Sequence, residues 1–253
     1  MYQPLTFQKS QPNSDSDLTL VCIHGATLSA AIWQDQISGL GNRFQVIAPD
    51  LPGHGNSPGQ GYDTISAYAD SILGFVREKH IENPVFCGIS MGGAIVLDLL
   101  IRGVPSAGGI LINTGARLRV MEAIFDIIRN DFSAFPDRLS ELALSPSADR
   151  ETLAPLVRSV VSCTAETARR DFTACNRFDV RNHLSAIRTP VLVLGAEDDT
   201  TTPPRYAVYL KDHIPGAILE MVNGAGHLSP IETPEALNTA ISNFMASLAQ
   251  KTV

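Results

Sequence analysis

The chain has 253 residues, of which 44% are hydrophobic and 18% are charged, and its formal net charge is −7. This composition is typical of a packed globular protein and excludes a wholly disordered chain. The negative charge disfavours a general affinity for nucleic acid or for anionic membrane surfaces, and no basic stripe follows any predicted helix.

Short apolar runs alternate along the chain with helical patterns, which is typical of a mostly parallel α/β sheet with helices on both faces. A weak strand is predicted at Leu5–Lys9. Six further strands, apolar enough to be buried on both faces, are predicted at Leu18–Ile23, Phe44–Ala48, Val85–Cys87, Gly109–Ile112, Val191–Leu194 and Ile218–Val222. Helices are predicted at Ala31–Ile37, Ile65–Lys79, Ala94–Ile101, Pro204–His213 and Pro234–Leu248.

One long segment breaks this alternation. Between roughly residues 115 and 188 the sequence contains helical patterns interrupted by prolines, and no convincing strand. The segment follows a core strand, and ligands of open α/β sheets bind beyond the carboxyl ends of the strands. We therefore expect residues 1–114 and 189–253 to form an α/β core, and residues 115–188 to form a helical cap that covers the site.

The most informative motif is Gly88-Ile89-Ser90-Met91-Gly92, which lies between a predicted strand and a predicted helix. A serine on such a sharp turn has its hydroxyl exposed above the edge of the sheet, and the glycines relieve the crowding that the turn creates. The helix that follows directs its N-terminus at the place where an oxyanion would form. Ser90 is the candidate nucleophile.

A serine hydroxyl needs a base, and that base needs an acid. His227 is the candidate base, because it follows the last predicted strand in a glycine-containing loop and completes the order Ser, Asp, His along the chain. The acidic run after the strand Val191–Leu194 supplies the acid. We favour Asp198 and keep Asp199 as the alternative, because adjacent carboxylates leave the register open.

Two backbone N–H groups should stabilise a developing oxyanion. One is the N–H of Met91, directly after the nucleophile. The other should come from the loop His24-Gly25-Ala26, which follows the strand Leu18–Ile23, and we select the N–H of Ala26. His24 itself is expected to make structural hydrogen bonds in this turn.

The remaining sequence features set expectations about cofactors and location. The cysteines form no Cys-x-x-Cys pair, so neither a zinc site nor a redox motif is indicated, and we expect reduced thiols at Cys22, Cys87, Cys163 and Cys175. No metal or organic cofactor is expected. The start of the sequence lacks a signal-peptide pattern, and no apolar run is long enough to span a bilayer. We therefore expect a cytoplasmic protein.

These motifs together resemble the α/β-hydrolase superfamily. The resemblance rests on His24-Gly25-Ala26 with Trp33 beyond it, on Asp50-Leu-Pro-Gly-His-Gly-Asn-Ser57, on Gly88-Ile-Ser-Met-Gly-Gly93, on Gly195-Ala-Glu-Asp198 and on Gly226-His227. It implies an α/β-hydrolase fold, a triad of Ser90, Asp198 (or Asp199) and His227, and an oxyanion hole at Ala26 and Met91. The chain departs from the family in a short N-terminal part and in one extra residue between Gly195 and Pro203.

Within the superfamily, the sequence is most similar to small serine esterases, to the 3-oxoadipate enol-lactonase type and to haloperoxidase-like perhydrolases. Serine at position 90 argues against branches with an aspartate nucleophile, and the cap lacks the tyrosines that epoxide hydrolases use. The resemblance implies hydrolysis of a carboxylic ester or lactone through an acyl-enzyme. The alternatives are C–C bond hydrolysis of the meta-cleavage type, perhydrolysis, a peptidase of the proline iminopeptidase type, and a non-catalytic small-molecule receptor.

The expected partner is a small-molecule ester or lactone rather than nucleic acid or membrane. Arginine is the only strongly basic residue type in the cap, and Arg117 and Arg119 follow a core strand directly. Arginine binds carboxylates with two parallel hydrogen bonds. Arg117 and Arg119 are therefore candidate substrate-binding residues for an acidic substrate, although arginines in such positions also pair with neighbouring carboxylates on the surface.

Overall fold

The computed structural model describes residues 4–11 and 16–250. Its seven strands are β1 (Phe7–Lys9), β2 (Thr19–Ile23), β3 (Gln45–Pro49), β4 (Pro84–Ile89), β5 (Gly108–Ile112), β6 (Val191–Ala196) and β7 (Ile218–Val222). They form one sheet in the order β1-β3-β2-β4-β5-β6-β7. Only β1 pairs antiparallel, with β3, and the other neighbours are parallel. The mostly parallel sheet expected from the alternating pattern is therefore present.

Ten α-helices accompany the sheet in the described part of the chain: α1 (Gln34–Leu40), α2 (Ile65–Glu78), α3 (Met91–Ile101), α4 (Glu122–Asn130), α5 (Phe135–Ala143), α6 (Arg150–Val160), α7 (Ala165–Arg177), α8 (Pro204–His213), α9 (Ser229–Glu232) and α10 (Pro234–Ala249). Short 3₁₀ helices lie at Ala30–Trp33, Phe132–Ala134 and Leu184–Ala186. No helix in the described ranges is both long enough and apolar enough to cross a membrane.

The sheet is buried on both faces, as its apolar strands require. Alternate side chains of the central strands enter two different core clusters, because successive residues of a strand point to opposite faces. Cys87 and Ile89 of β4 pack on the side of α1 and α10, whereas Phe86 packs on the side of α2 and α3. Every residue of the central strands β2, β4, β5 and β6 is buried. At the edges of the sheet, all of β1 is exposed, and β7 is exposed at Ile218 and Glu220.

Two element boundaries differ from the sequence-based prediction in a way that matters for the site. Strand β4 runs to Ile89, two residues beyond the predicted end, because Gly88 and Ile89 continue the pairing with β5. Helix α3 begins at Met91, three residues before the predicted start. Ser90 alone therefore makes the turn from strand to helix.

Residues 115–188, here called the cap segment because a cap was predicted there, contain helices α4 to α7. Apart from isolated bridges, they contain no strand. A small apolar cluster around Ile128, Phe135 and Ala168 joins its helices to one another. Other side chains of the segment enter the two main clusters, for example Val157 on one face of the sheet and Ala174 on the other. The segment thus contributes to the apolar core on both faces of the sheet. All four cysteines are free thiols.

Candidate active site

Ser90 occupies a strained turn between β4 and α3. Its backbone has φ +53° and ψ −117°, a conformation that residues other than glycine rarely adopt. A Cβ atom on Gly88 would overlap the carbonyl oxygen of Gly92, and a Cβ atom on Gly92 would overlap the carbonyl oxygen of Ile23. The two glycines of the motif are therefore required because backbone of neighbouring elements fills the space where side chains would lie.

The backbone of Ser90 is held from both sides. Its N–H donates to the carbonyl oxygen of Ile112 at 3.0 Å, which continues the β5 ladder past the end of β4. Its carbonyl oxygen accepts from the Thr114 hydroxyl at 2.7 Å and from the Ala94 N–H at 3.1 Å. These bonds compensate the strain of the turn and leave the side chain of Ser90 on the wall of a cavity.

His227 lines the same cavity and is hydrogen-bonded to an aspartate behind it. The imidazole Nδ1–H donates to Asp199 Oδ2 at 2.8 Å, and His227 is only 5% exposed. A carboxylate can only accept in this bond, so Nδ1 carries a proton. No hydrogen-bond partner of Nε2 is found among the described residues. The structure therefore brings Ser90, His227 and Asp199 to one region from three distant parts of the chain.

The surroundings of Asp199 favour its ionised form. Its carboxylate accepts from the N–H groups of Thr201 and Thr202, each at 2.8 Å, and from the Thr202 hydroxyl at 2.7 Å. Burial by itself raises the pKa of Asp199, but the charge and hydrogen bond of His227 and the bonds from Thr202 outweigh burial and hold the pKa at about 2. The aspartate is thus a fixed negative charge behind the imidazole at neutral pH.

Asp198, which the sequence analysis favoured as the acid, does not contact His227 in this structure, whereas the alternative Asp199 does. Asp198 Oδ2 instead accepts from the Ser145 hydroxyl of the cap segment at 2.6 Å. The N–H of Asp198 donates to the carbonyl oxygen of Ala225, and the N–H of Asp199 donates to the carbonyl oxygen of Ala196. This tight turn after β6 points the two adjacent side chains in different directions, and the second of them faces the imidazole.

Two polar residues that the sequence analysis missed hold the loop of His227. Asn113 Nδ2 donates to the carbonyl oxygens of Gly226 at 3.2 Å and His227 at 2.9 Å, and to the Ser229 hydroxyl at 3.0 Å. The Glu232 carboxylate accepts from the N–H groups of Gly226 at 3.0 Å, Leu228 at 2.9 Å and Ser145 at 2.7 Å. Asn113 could have been found from the sequence, because it is a polar residue directly after the buried strand β5.

One predicted oxyanion donor follows Ser90 directly in the chain, and the other lies in a loop that packs against Ser90. Met91 is the first residue of α3, where N–H groups have no intrahelical acceptor. The loop that contains Ala26 lies against the nucleophile, since a Cβ atom on Gly25 would be 3.4 Å from Ser90 Cβ. Ala26 lines the cavity, whereas the Met91 side chain is buried in the core.

His24 makes the structural bonds expected of it. The buried ring donates from Nδ1 to the carbonyl oxygen of Gly25 at 2.8 Å and accepts at Nε2 from the Leu51 N–H at 3.0 Å. Burial and the nearby His54 lower the pKa of His24 to about 3. His24 is therefore a neutral ring of fixed tautomer at neutral pH, locked into the backbone of the loop.

The cavity that Ser90 and His227 share has a volume of about 300 Å³. Most of its lining is apolar and comes from both the core and the cap segment; it includes Leu28, Leu118, Ile124, Phe135, Leu139, Leu142, Phe172 and Leu228. Three arginines, Arg119, Arg138 and Arg205, also line it, and no carboxylate does. Within the described ranges no cluster of three or more His, Cys, Asp or Glu side chains is arranged to hold a metal ion.

The arginines differ in their partners. Arg138 pairs with Glu141 at 2.7 Å, whereas no ion-pair partner of Arg119 or Arg205 is found among residues 4–11 and 16–250. Arg117 lies 3.6 Å from Asp179 and does not line the cavity. Of the two arginines predicted to bind substrate, only Arg119 is brought to the cavity, and Arg205 was missed because it lies outside the cap.

Comparison with known proteins finds a matching family and similar hydrolases. A family model described as the alpha/beta hydrolase family matches residues 20–240. The chain is 28% identical to 3-oxoadipate enol-lactonase 1 of Acinetobacter baylyi, over 86% of this chain and 84% of that protein. It is 27% identical to a pimeloyl-acyl-carrier-protein methyl ester esterase of Neisseria meningitidis, over 94% of this chain and 96% of that protein.

Among solved structures, the enol-lactonase from Burkholderia xenovorans LB400 superposes with a TM-score of 0.88, with 23% identity and 96% of each chain covered. At this identity the likeness concerns the fold, and it confirms the fold class predicted from the sequence. The match of the family model over residues 20–240 extends this from fold to family. The chain therefore belongs to the alpha/beta hydrolase family.

Proposed function

We propose that the protein is a serine hydrolase that cleaves a carboxylic ester or a lactone through an acyl-enzyme. The observation that carries this proposal is the 2.8 Å hydrogen bond between His227 Nδ1 and Asp199 Oδ2 at a cavity that Ser90 also lines. The pairing leaves the other imidazole nitrogen free to accept a proton, as a general base requires. Relatives named as an enol-lactonase and as a methyl ester esterase support the class of bond.

In the first half of the proposed reaction, Ser90 Oγ attacks the carbonyl carbon while His227 Nε2 takes the hydroxyl proton. Asp199 stabilises the imidazolium that forms and does not itself accept the proton. The N–H groups of Ala26 and Met91 stabilise the tetrahedral oxyanion. The loss of one such donor typically costs about 10²–10³ in kcat.

The second half of the reaction releases the acid. The imidazolium of His227 donates its proton to the leaving oxygen as the carbon–oxygen bond breaks, and the acyl group stays on Ser90. His227 then deprotonates a water molecule, which attacks the ester on Ser90 and regenerates the serine hydroxyl. In a lactone the leaving oxygen remains attached to the acyl chain, so ring opening and acylation are the same step.

The cavity lining favours a substrate with an apolar body and a negative charge. Apolar side chains cover most of the wall, while Arg119 and Arg205 supply positive charge without a carboxylate nearby on the wall. A guanidinium that has no ion-pair partner among the described residues is available to bind a carboxylate. We therefore extend the proposal to esters or lactones whose acyl or alcohol part carries a carboxylate.

The decisive experiment is a pre-steady-state assay with p-nitrophenyl acetate. The wild-type protein should release a burst of p-nitrophenol equal to the amount of enzyme, followed by slower turnover. Ser90→Ala should lose both phases and should not become acetylated, as measured by mass spectrometry of the intact protein. Equal release by wild type and Ser90→Ala would contradict the proposal and favour a receptor or another chemistry.

A further inference from the structure

A fully buried carboxylate on α7 reaches the loop that carries a proposed oxyanion donor. Asp171 is 0% exposed, and its Oδ2 accepts from the Thr27 N–H at 2.8 Å. The same oxygen accepts from His54 Nε2 at 2.8 Å, and Oδ1 accepts from the hydroxyl of Tyr68. Asp171 belongs to the cap segment, while its three partners belong to the core, so this cluster joins the two parts of the protein beside the candidate site.

The charge on Asp171 is balanced by His54. His54 Nε2 donates to Asp171, and His54 Nδ1 donates to the carbonyl oxygen of Pro52 at 3.1 Å. Neither acceptor carries a proton, so both bonds exist together only when the ring is protonated. Burial lowers the pKa of His54, but the charge and hydrogen bond of Asp171 outweigh it and raise the pKa above its ordinary value. The carboxylate is thereby kept in place as one half of a buried ion pair.

Hydrogen bonds fix the backbone on both sides of the Ala26 N–H. The carbonyl oxygen of Gly25 accepts from His24 Nδ1 at 2.8 Å and from the Leu28 N–H at 3.3 Å. Because a trans peptide is planar, this fixes the Ala26 N–H in the opposite direction. On the other side, Thr27 has φ +65° and its carbonyl oxygen accepts from the Ser162 N–H at 2.9 Å. Thr27 also gives its own N–H to Asp171.

We propose that Asp171 is a positioning residue for hydrolysis, which presents the Ala26 N–H to the oxyanion by anchoring the Thr27 N–H. This inference rests on the proposed function. The bond from the Thr27 N–H to Asp171 fixes the plane of the peptide between Ala26 and Thr27, just as the bonds to the Gly25 carbonyl oxygen fix the peptide before Ala26. Ala26 is therefore held by both peptides that flank it. A donor displaced by a fraction of an ångström loses much of its stabilisation of a transition state. The cap segment therefore contributes to the oxyanion hole as well as to the cavity wall.

The test compares two replacements of Asp171. In Asp171→Asn, the amide oxygen can still accept from Thr27 and His54 while the amide nitrogen donates to the oxygen of Tyr68. In Asp171→Leu, of similar shape, no acceptor remains. Glu166→Leu is the matched control, because Glu166 is an acid on the same helix whose exposed carboxylate pairs, in the described structure, only with Arg169 and Arg170.

The kinetic readout uses p-nitrophenyl acetate. Asp171→Leu should lower kcat about 10²-fold or more, in the range of a lost oxyanion donor, with KM changed less than about threefold. Asp171→Asn should stay within about tenfold of wild type, and Glu166→Leu within about twofold. The affinity for phenylboronic acid, which forms a tetrahedral adduct with the nucleophile, should fall in parallel with kcat/KM in Asp171→Leu. A rise in KM with an unchanged kcat in Asp171→Leu would overturn the proposal.

Asp171→Leu leaves the buried N–H groups of Thr27 and His54 without their acceptor, which is destabilising. The triple variant His54→Leu/Tyr68→Phe/Asp171→Leu therefore serves as the second test, since it replaces the whole polar cluster by apolar side chains. It should fold and show the same loss of kcat. A folded Leu variant with wild-type kcat would overturn the proposal, and so would a folded Asp171→Asn variant that is as slow as the Leu variants.

Amide hydrogen exchange gives a readout that does not depend on activity. The Thr27 N–H should be protected in wild type and Asp171→Asn and should exchange rapidly in the Leu variants. Failure of the proposed function shows itself separately, as wild-type activity that Ser90→Ala does not abolish. If Ser90 is essential and the Asp171 variants are all as active as wild type, the positioning role alone is wrong.

Discussion

His227 Nδ1 lies 2.8 Å from Asp199 Oδ2 across a separation of 28 residues, while the neighbouring Asp198 is bonded to Ser145 of the cap segment. Two adjacent aspartates thus have different partners and should have different roles. One orients the imidazole, and the other ties the turn after β6 to the cap segment. This difference can be measured directly.

Asparagine at each position separates the two aspartates. Asp199→Asn removes the negative charge behind the imidazole and allows the wrong tautomer, so kcat for p-nitrophenyl acetate should fall about 10³–10⁴-fold. Asp198→Asn keeps an acceptor for the Ser145 hydroxyl, and kcat should stay within about tenfold of wild type. Thermal melts of both variants serve as the control for folding. A larger loss of kcat in Asp198→Asn would show that the assigned register of the acid is wrong.

Alanine at the second glycine of the serine turn should damage the fold as well as the site. The new Cβ atom in Gly92→Ala would overlap the carbonyl oxygen of Ile23, which is backbone of β2 and has little room to move. We expect a loss of roughly 2–4 kcal/mol in the free energy of unfolding, measured in urea, and no detectable burst.

Gly103→Ala is the control for that experiment. Gly103 has φ +68°, but no atom lies within 4 Å of the place where a Cβ atom would be. This variant should lose about 1 kcal/mol from backbone strain alone and keep its activity. If Gly92→Ala is no less stable than Gly103→Ala, the steric account of the serine turn is wrong.

The arginines predict a preference among substrates. Arg119→Ala and Arg205→Ala should each raise KM for a monoester of a dicarboxylic acid about tenfold, which corresponds to about 1.4 kcal/mol of lost binding. The KM for the corresponding neutral diester should change less than about twofold. Arg117→Ala is the matched control, because Arg117 contacts Asp179 rather than the cavity. Equal effects on charged and neutral esters would contradict the assignment of an acidic substrate.

The buried pair of His54 and Asp171 predicts a pH dependence of stability. Besides Asp171, His54 contacts the rings of the neutral His24 and of Tyr68. Its pKa is raised in the folded state, so the folded protein binds the proton more tightly than the unfolded chain does. This stabilisation is complete below about pH 6.5 and is lost as the pH rises through the folded-state pKa.

Urea unfolding between pH 6 and pH 9 measures this effect. His24, whose pKa folding lowers, acts in the opposite sense near pH 6.5, so the effect of His54 is measured as a difference between two proteins. Relative to the triple variant His54→Leu/Tyr68→Phe/Asp171→Leu, which lacks the titrating ring, the free energy of unfolding of wild type should fall as the pH rises. Identical slopes in the two proteins would show that folding does not raise the pKa of His54.

The sequence predicted most of the sheet, and it pointed to Ser90 and His227, because these depend on local patterns. Apolar runs of strand length set the core strands, and the glycines around Ser90 reflect a turn whose steric demands act within a few residues. The predicted ends of strands and helices were less accurate. Ile89 and Met91 are apolar residues that fit a buried strand and a buried helix equally well, and only the pairing with β5 fixes the end of β4.

What the sequence by itself determined is an alternating α/β chain in which the candidate nucleophile, acid and base each follow an apolar strand. Only the tertiary structure placed Asp199 rather than Asp198 against His227, brought Arg205 to the cavity beside Arg119, and joined Asp171 to Thr27 across 144 residues. The physical reason is that hydrophobic periodicity acts locally and sets the elements. The direction of a side chain in a turn, by contrast, depends on backbone hydrogen bonds to distant segments that no local pattern encodes.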